Sequence, residues 1–183
     1  MLVQIAQRMQ AAPTGGTAPV DATLVGTRPA SFGDIPDMAS LINRYAALGL
    51  MLPKTPAHLY RTVREFIVAE SDQGVLGCGA LRIYEPDLAE VCSLAVSDAA
   101  RGLGVGRRLV AALHAEAARL GIGRTFALTL EPGFFHRLGY HTIERAVLPQ
   151  KIDVDCAGCP KRDACDEIAV LRLAPAPTSE SIQ

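Results

Sequence analysis

The spacing of apolar residues changes period along the chain, and the changes mark out the elements. Met38, Leu41, Ile42 and Tyr45 recur at helical spacing. Ser31 or Asp34 can cap that helix, Pro36 sits near its first turn, and Gly49 ends it. Thr55 can cap a second helix, Pro56 to Arg64. The pattern then turns to strands: Phe66-Ile67-Val68-Ala69, a turn at Asp72-Gln73-Gly74, and Val75 to Tyr84. Gly77 and Gly79 inside the last of these predict a bulge or close packing. Leu88 to Val96 reads as the central strand, and Leu109 to Leu120 as an amphipathic helix. Arg124 to Leu130 is a strand, Phe134 to Leu138 a short helix ended by Gly139, and Tyr140 to Val147 and Ile168 to Leu173 are strands. With Thr23 to Arg28 as the first strand, the order is not a simple βαβ alternation. It predicts an α/β (α+β) fold: a mixed sheet with helices on both faces. Met1 to Ala22 reads as a flexible arm, residues 23–173 as one domain, and Ala174 to Gln183 as a flexible tail.

Composition narrows the function. The chain has 183 residues, enough for one domain with a substantial core, and a net charge of -1, which gives no case for nucleic acid or a membrane surface. With no Trp and 5% aromatic residues, a platform for stacking bases is not expected. Neither a secretory signal nor a membrane-spanning run is apparent, and five cysteines are an odd number. Reduced thiols in a cytoplasm are therefore expected.

The chemistry gathers between Ser93 and Arg108. An apolar strand end feeds a glycine-rich loop, and the loop opens a helix. The first amides of a helix lack intrahelical partners and carry the positive end of its dipole, so they attract anions. Gly102, Gly104 and Gly106 let a phosphate approach the backbone, and Arg101, Arg107 and Arg108 add charge. The Walker pattern fails, because Arg107-Arg108-Leu109 stands where Gly-Lys-Ser/Thr is needed. The dinucleotide pattern also fails, because the third glycine is missing.

The spacing Arg101-x-x-Gly104-x-Gly106 resembles the pyrophosphate loop of the GNAT N-acetyltransferases. The element order over Thr23 to Leu173 is similar to that fold. Blocks including Leu50-Met51-Leu52-Pro53-Lys54, Phe66-Ile67-Val68-Ala69-Glu70, Leu88-Ala89-Glu90-Val91-Cys92-Ser93-Leu94-Ala95-Val96 and Phe134-Phe135-His136-Arg137-Leu138-Gly139-Tyr140 resemble the N-acetylglutamate synthases. Leu148-Pro149-Gln150-Lys151, followed by Asp155-Cys156-x-x-Cys159-Pro160 and Cys165, is similar to their short bacterial form. The kinase-like domain that precedes this module in the long form is not among these residues, which leaves arginine feedback open.

The resemblance implies acetyl-CoA as co-substrate. Arg101, Gly102, Leu103, Gly104, Val105, Gly106 and Arg107 would hold its pyrophosphate, and the backbone of Leu94, Ala95 and Val96 its pantetheine arm and thioester, where the central strand splays from its neighbour. The expected acceptor is the α-amine of an amino acid, L-glutamate first, which would make the enzyme an entry step to arginine synthesis. An acetyltransferase for another small amine, or a non-catalytic acetyl-CoA or redox sensor, are the alternatives. Glu90, a carboxylate amid Leu88, Val91 and Leu94, is the candidate base, expected on the same pleat face as Leu94, with Ser93 beside it; a salt bridge at a strand edge is its plainer reading. Lys54, Arg82, Ser93 and Thr129 are candidates to hold the substrate. Phe135 occupies the position of the tyrosine that many relatives use as general acid, and it cannot donate a proton.

Cys156, Cys159 and Cys165 have partial zinc-knuckle spacing; a zinc site and free or redox-active thiols both stay open, and a structural role for this loop is expected because a strand separates it from the other motifs. Cys78 and Cys92 read as core residues, and His58 and His114 as surface residues. Partners are a small amino acid and, as an open option, a second copy of the chain as a homodimer.

Overall fold

The structure is a computed structural model, and it describes residue 21 and residues 25–175. The arm, the first residues of the expected first strand and most of the tail lie outside the described residues. The elements are β1 (Gly26–Pro29), α1 (Ile35–Ala47), α2 (Pro56–Thr62), β2 (Phe66–Ser71), β3 (Gly74–Glu85), β4 (Leu88–Val96), α3 (Val105–Arg119), β5 (Arg124–Thr129), α4 (Pro132–His136), β6 (His141–Thr142), α5 (Pro149–Val154) and β7 (Ile168–Leu173). The seven strands form one mixed sheet in the order β1-β2-β3-β4-β5-β7-β6. Only β4 and β5 are parallel, joined by the α3 crossover. No helix among the described residues is long and apolar enough to cross a membrane.

Helices cover both faces. α3 sets Leu109, Val110 and Leu113 against one face, beside Val91 and Ala127. On the other, Ile35, Met38 and Ile42 of α1 and Leu59 of α2 pack on Phe66, Val68, Cys78 and Ala95. Gly77 and Gly79 explain how closely α3 sits. A Cβ at Gly77 would lie 2.9 Å from the Ala95 carbonyl and 3.1 Å from Leu109, and one at Gly79 would lie 3.2 Å from both Leu113 and Leu94.

Two local expectations differ from the structure. The strand expected over Tyr140 to Val147 shrinks to His141–Thr142, because a 3-10 turn at Arg145–Val147 turns the chain away. The run that follows, to which the apolar spacing assigns no element, forms α5, with Pro149 at its first position, where the missing N–H costs nothing.

Candidate active site

The site forms where β4 and β5 part. Their pairing runs from Leu88↔Arg124 to Glu90↔Phe126 and stops there, although β5 continues to Thr129 alongside β7. From Val91 to Val96 one backbone edge of β4 therefore faces no strand. On the β3 side, Cys78 pairs with Ala95 and Ala80 with Cys92, so Gly79 faces two residues of β4. Ser93 has φ 52, the left-handed value of a residue in such a bulge. The bulge resets the pleat: Val91 and Leu94 face α3, whereas Cys92 and Ala95 face α1 and α2. This corrects the expectation that Glu90 and Leu94 share a face, since a period of 2 does not survive an inserted residue.

Beyond β4 the glycine loop lies as its composition predicts. Gly102 and Gly104 have φ values of 77 and 76, and Gly104 caps α3. The amides of Gly104, Val105, Gly106 and Arg107 donate to no carbonyl among the described residues. Ser97 Oγ, one residue beyond β4, is buried and has no partner among the described residues. The Arg101 side chain does not reach into the loop. Its guanidinium lies 5.5 Å above the Tyr45 ring, donates to Tyr45 Oη at 3.1 Å and pairs with Asp98 at 3.1 Å. Tyr45 in turn donates to the Val96 carbonyl. Arg101 thus braces the loop against α1, while the free amides do the attracting. Leu103 packs beneath with Val105, and Phe134 closes the side, 3.4 Å from where a Gly106 Cβ would be. Phe135 is buried in the core against Tyr140.

Glu90 sits on the other face, 3% exposed. Its Oε2 accepts from Lys151 Nζ at 2.9 Å and from the Tyr84 hydroxyl at 3.1 Å. Lys151 also bonds Asp155 at 3.0 Å, and Asp155 accepts from Tyr84 and from Arg82 at 3.2 Å. Arg82, directly opposite Glu90 in the register, pairs further with Glu65 at 3.4 Å. Burial lifts the Glu90 carboxyl above its ordinary range, against the opposing pull of Lys151 and Tyr84. Burial pulls Lys151 down, but Glu90 and Asp155 outweigh it and hold the ammonium charged. Burial also raises Asp155, yet Tyr84, Lys151 and Arg82 bring it to about 2. The carboxylate with raised basicity therefore stands beside one that stays ionised, a contrast suited to proton transfer.

Lys54 closes the same side. Asn43 of α1 holds its backbone at both ends, accepting from the Lys54 N–H at 3.0 Å and donating to its carbonyl at 2.9 Å. The Lys54 ammonium lies 3.3 Å from His58 Nε2. Burial lowers the pKa of Lys54, and that of His58 falls through burial and the Lys54 charge. The Thr129 hydroxyl accepts from the Glu131 N–H at 2.9 Å.

Sequence reasoning missed Lys151, Asp155, Tyr84 and Asn43. Signals existed for two pairs: Lys151 and Asp155 are spaced i,i+4, and Tyr84 and Arg82 are two apart on the strand facing Glu90. The cysteine loop was expected to lie apart from the site, and it does not. It starts at Asp155, and Lys161 Nζ donates to the Gly49 carbonyl at 3.0 Å in the loop that carries Lys54. Among the described residues no group of three or more His, Cys, Asp or Glu side chains could hold a metal ion. Cys156, Cys159 and Cys165 are free: Cys156 and Cys159 bound one short turn and Cys165 ends the next, the Cys159 sulfur accepts from the Lys161 N–H, and the Cys165 thiol faces Glu167. Burial pushes the Cys78 and Cys92 thiols up to about 12. Neither His58 nor His114 is a free surface group. His114 stacks on Tyr140 and lies 2.7 Å from its hydroxyl.

Comparison with known proteins fits this arrangement. Residues 62–142 match the acetyltransferase (GNAT) domain family. An uncharacterised N-acetyltransferase of Chlorobaculum tepidum is 41% identical over 145 residues, covering 79% of this chain and 94% of that one. The N-acetylglutamate synthase of Neisseria gonorrhoeae, solved with coenzyme A and N-acetyl-glutamate, superposes with a TM-score of 0.76 at 31% identity, over 83% of this chain and 35% of that one. A Mycobacterium tuberculosis protein solved with CoA and NLQ superposes with a TM-score of 0.72 at 31% identity, over 82% of this chain and 99% of that one. The chain thus spans about a third of the Neisseria synthase. A parted β4–β5 pair, a glycine loop with free helix amides beyond it and a buried carboxylate at the parting point agree with this kinship, and the chain belongs to the GNAT family of N-acetyltransferases.

Proposed function

We propose that the chain transfers the acetyl group of acetyl-CoA to the α-amine of an amino acid, L-glutamate first, to give N-acetylglutamate. The single observation that carries this reading is the polar cluster on the α1 face of β4. One buried base candidate, Glu90, has beside it Lys151, paired to it and to Asp155, and Arg82, paired to Asp155 and Glu65, while the Lys54 ammonium on the same side pairs with no carboxylate among the described residues and can take one of the substrate. The kinship supports it, since relatives in Neisseria meningitidis and Mycobacterium tuberculosis are amino-acid acetyltransferases. The glycine loop fits a pyrophosphate: four amides with no carbonyl partner among the described residues open α3 at a left-handed Gly104 that a side chain would strain.

Acetyl-CoA would supply the activated acetyl group as a thioester when bound, and the chain's residues do the rest. The open edge of β4 from Val91 to Val96 offers backbone donors and acceptors to an extended arm. Lys54, fixed by Asn43, binds a substrate carboxylate, and its lowered pKa is offset once that anion arrives. The Glu90 carboxylate takes the ammonium proton, directly or through water, on the oxygen that Lys151 and Tyr84 do not occupy, leaving a neutral amine to attack. Tyr84 and Lys151 hold Glu90 in place. Phe135 donates nothing, so the thiolate leaves without a proton from that position.

The test is release of free coenzyme A from acetyl-CoA with a panel of amino acids and small amines. L-Glutamate should give the highest kcat/KM, and Lys54→Met should raise the KM for glutamate, by roughly tenfold or more for a lost charge-assisted contact, while the KM for acetyl-CoA barely moves. Equal turnover with neutral amines would refute the glutamate reading.

A further inference from the structure

A cavity of about 170 Å³ lies at the other end of α3 from the glycine loop. His114 and Ala118 of α3, Ile122 in the turn that follows, Thr125 of β5, Arg172 of β7 and Pro175 are among its walls. His114 is nine residues along the helix from Val105, about 13 Å at the helical rise.

The charge in this cavity is unbalanced. Arg172 is half-buried, and among the described residues it has no hydrogen bond and no ion pair. Several other arginines of the sheet and helices are paired, Arg28 with Asp34 and Glu70, Arg82 with Glu65 and Asp155, Arg119 with Glu116 and Arg124 with Asp87, whereas Arg61 and Arg107 without such partners are exposed to water. A guanidinium has five donors and no means of discharging, so it cannot relieve its burial by losing a proton. Asp87 lies near, but it accepts from the Gly123 N–H at 2.6 Å and from Arg124 at 3.0 Å. Burial and the Arg172 charge keep His114 neutral, with its pKa lowered to about 4. Thr125 has a proton to give, because its oxygen already accepts from the Tyr140 hydroxyl at 3.2 Å. The cavity thus offers one fixed positive charge, one hydroxyl donor and aliphatic walls.

We propose that this cavity is a second ligand site, taking a short aliphatic carboxylate whose oxygens pair with Arg172 and whose chain lies against Ala118, Ile122 and Pro175. A phosphate dianion suits it less, because it would bring two charges and three acceptor oxygens to one guanidinium and one hydroxyl and leave the aliphatic wall uncovered. The same carboxylate chemistry has a second source, since Glu180 follows Pro175 by five residues. The proposal commits to a free ligand.

Butyrate is the probe, titrated into the full chain while the His114 ring resonance, assigned through His114→Gln, is followed by NMR. The expected result is a saturable shift in the millimolar range that persists with coenzyme A and glutamate at saturation. 1-Butanol should give no such shift. Arg172→Gln should weaken binding at least tenfold and Arg172→Lys less, with both variants checked for folding by circular dichroism. Should Arg172→Gln fail to fold, Arg172→Lys against wild type, with butyrate and butanol compared in each, decides the matter. No saturable shift, an equal response to butanol, or equal affinity in Arg172→Gln would overturn the site. Butyrate silent in wild type but bound in Glu180→Gln would overturn the free-ligand assignment and give the cavity to the chain's own carboxylate.

Discussion

Replacing Lys151 with Met should destabilise the protein in a strongly pH-dependent way, and the structure sets the size. The Lys151 ammonium bridges Glu90 and Asp155 at 2.9 and 3.0 Å, and Asp155 keeps Arg82 and Tyr84 when it is lost. Glu90, 3% exposed, keeps only a share of the single Tyr84 proton, for which Asp155 is the nearer acceptor. Breaking a buried pair in this way typically costs about 3–5 kcal/mol. Glu90 can escape by taking up a proton, and that escape costs about 1.4 kcal/mol for each pH unit above its ordinary pKa of 4.5. At pH 7 the ceiling is therefore about 3.4 kcal/mol, and at pH 5 about 1 kcal/mol. The sign follows from a raised pKa: the protonated form's contribution is complete below the ordinary value and is lost as pH rises through the folded one. Glu90→Gln leaves Lys151 paired with Asp155 and removes the titrating group, so its cost, about 1–2 kcal/mol at pH 5, should shrink toward pH 7, where the wild-type carboxyl with its raised pKa loses stability. Urea denaturation followed by far-ultraviolet circular dichroism at both pH values, each variant compared with wild type at the same pH, measures this. The pH profile of kcat/KM should also move to higher pH in Lys151→Met, because a protonated Glu90 is no base. A Lys151→Met protein as stable as wild type at pH 7, or equally destabilised at pH 5 and 7, would refute the reasoning.

Two further predictions test other parts of the fold. Gly104→Ala, at φ +76, should cost about 1–2 kcal/mol of stability, the ordinary penalty of a left-handed residue with a Cβ, and should weaken coenzyme A binding in calorimetry more than it changes the KM for glutamate; unchanged binding would argue against the cradle. His114, whose folded pKa of about 4 lies below its ordinary 6.5, contributes stability that is present above pH 6.5 and lost as pH falls toward 4. That loss is about 2–3 kcal/mol after allowance for its partial exposure, so His114→Gln should lose correspondingly less stability than wild type between pH 7 and 4, and parallel curves would contradict it.

The sequence by itself determined the elements with strong local signals and the loop with a fixed spacing. β4 and β7 follow their expected bounds because apolar runs closed by polar residues leave little choice of ends. The glycine loop was legible because left-handed backbone and close approach demand residues without a side chain, and such demands are local. What only the tertiary structure decided is who faces Glu90. The bulge at Ser93 turns Glu90 and Leu94 to opposite faces, and no local pattern encodes where a strand takes an extra residue. Lys151 and Asp155 come from a short helix more than sixty positions further on, and Tyr84 from the neighbouring strand. Arg101 shows the same limit in reverse: its spacing marks the loop correctly, but its charge is turned away by Tyr45 and Asp98. Ion pairs and buried hydrogen bonds depend on distances of about 3 Å between groups remote in sequence, and those distances exist only after the sheet has been assembled.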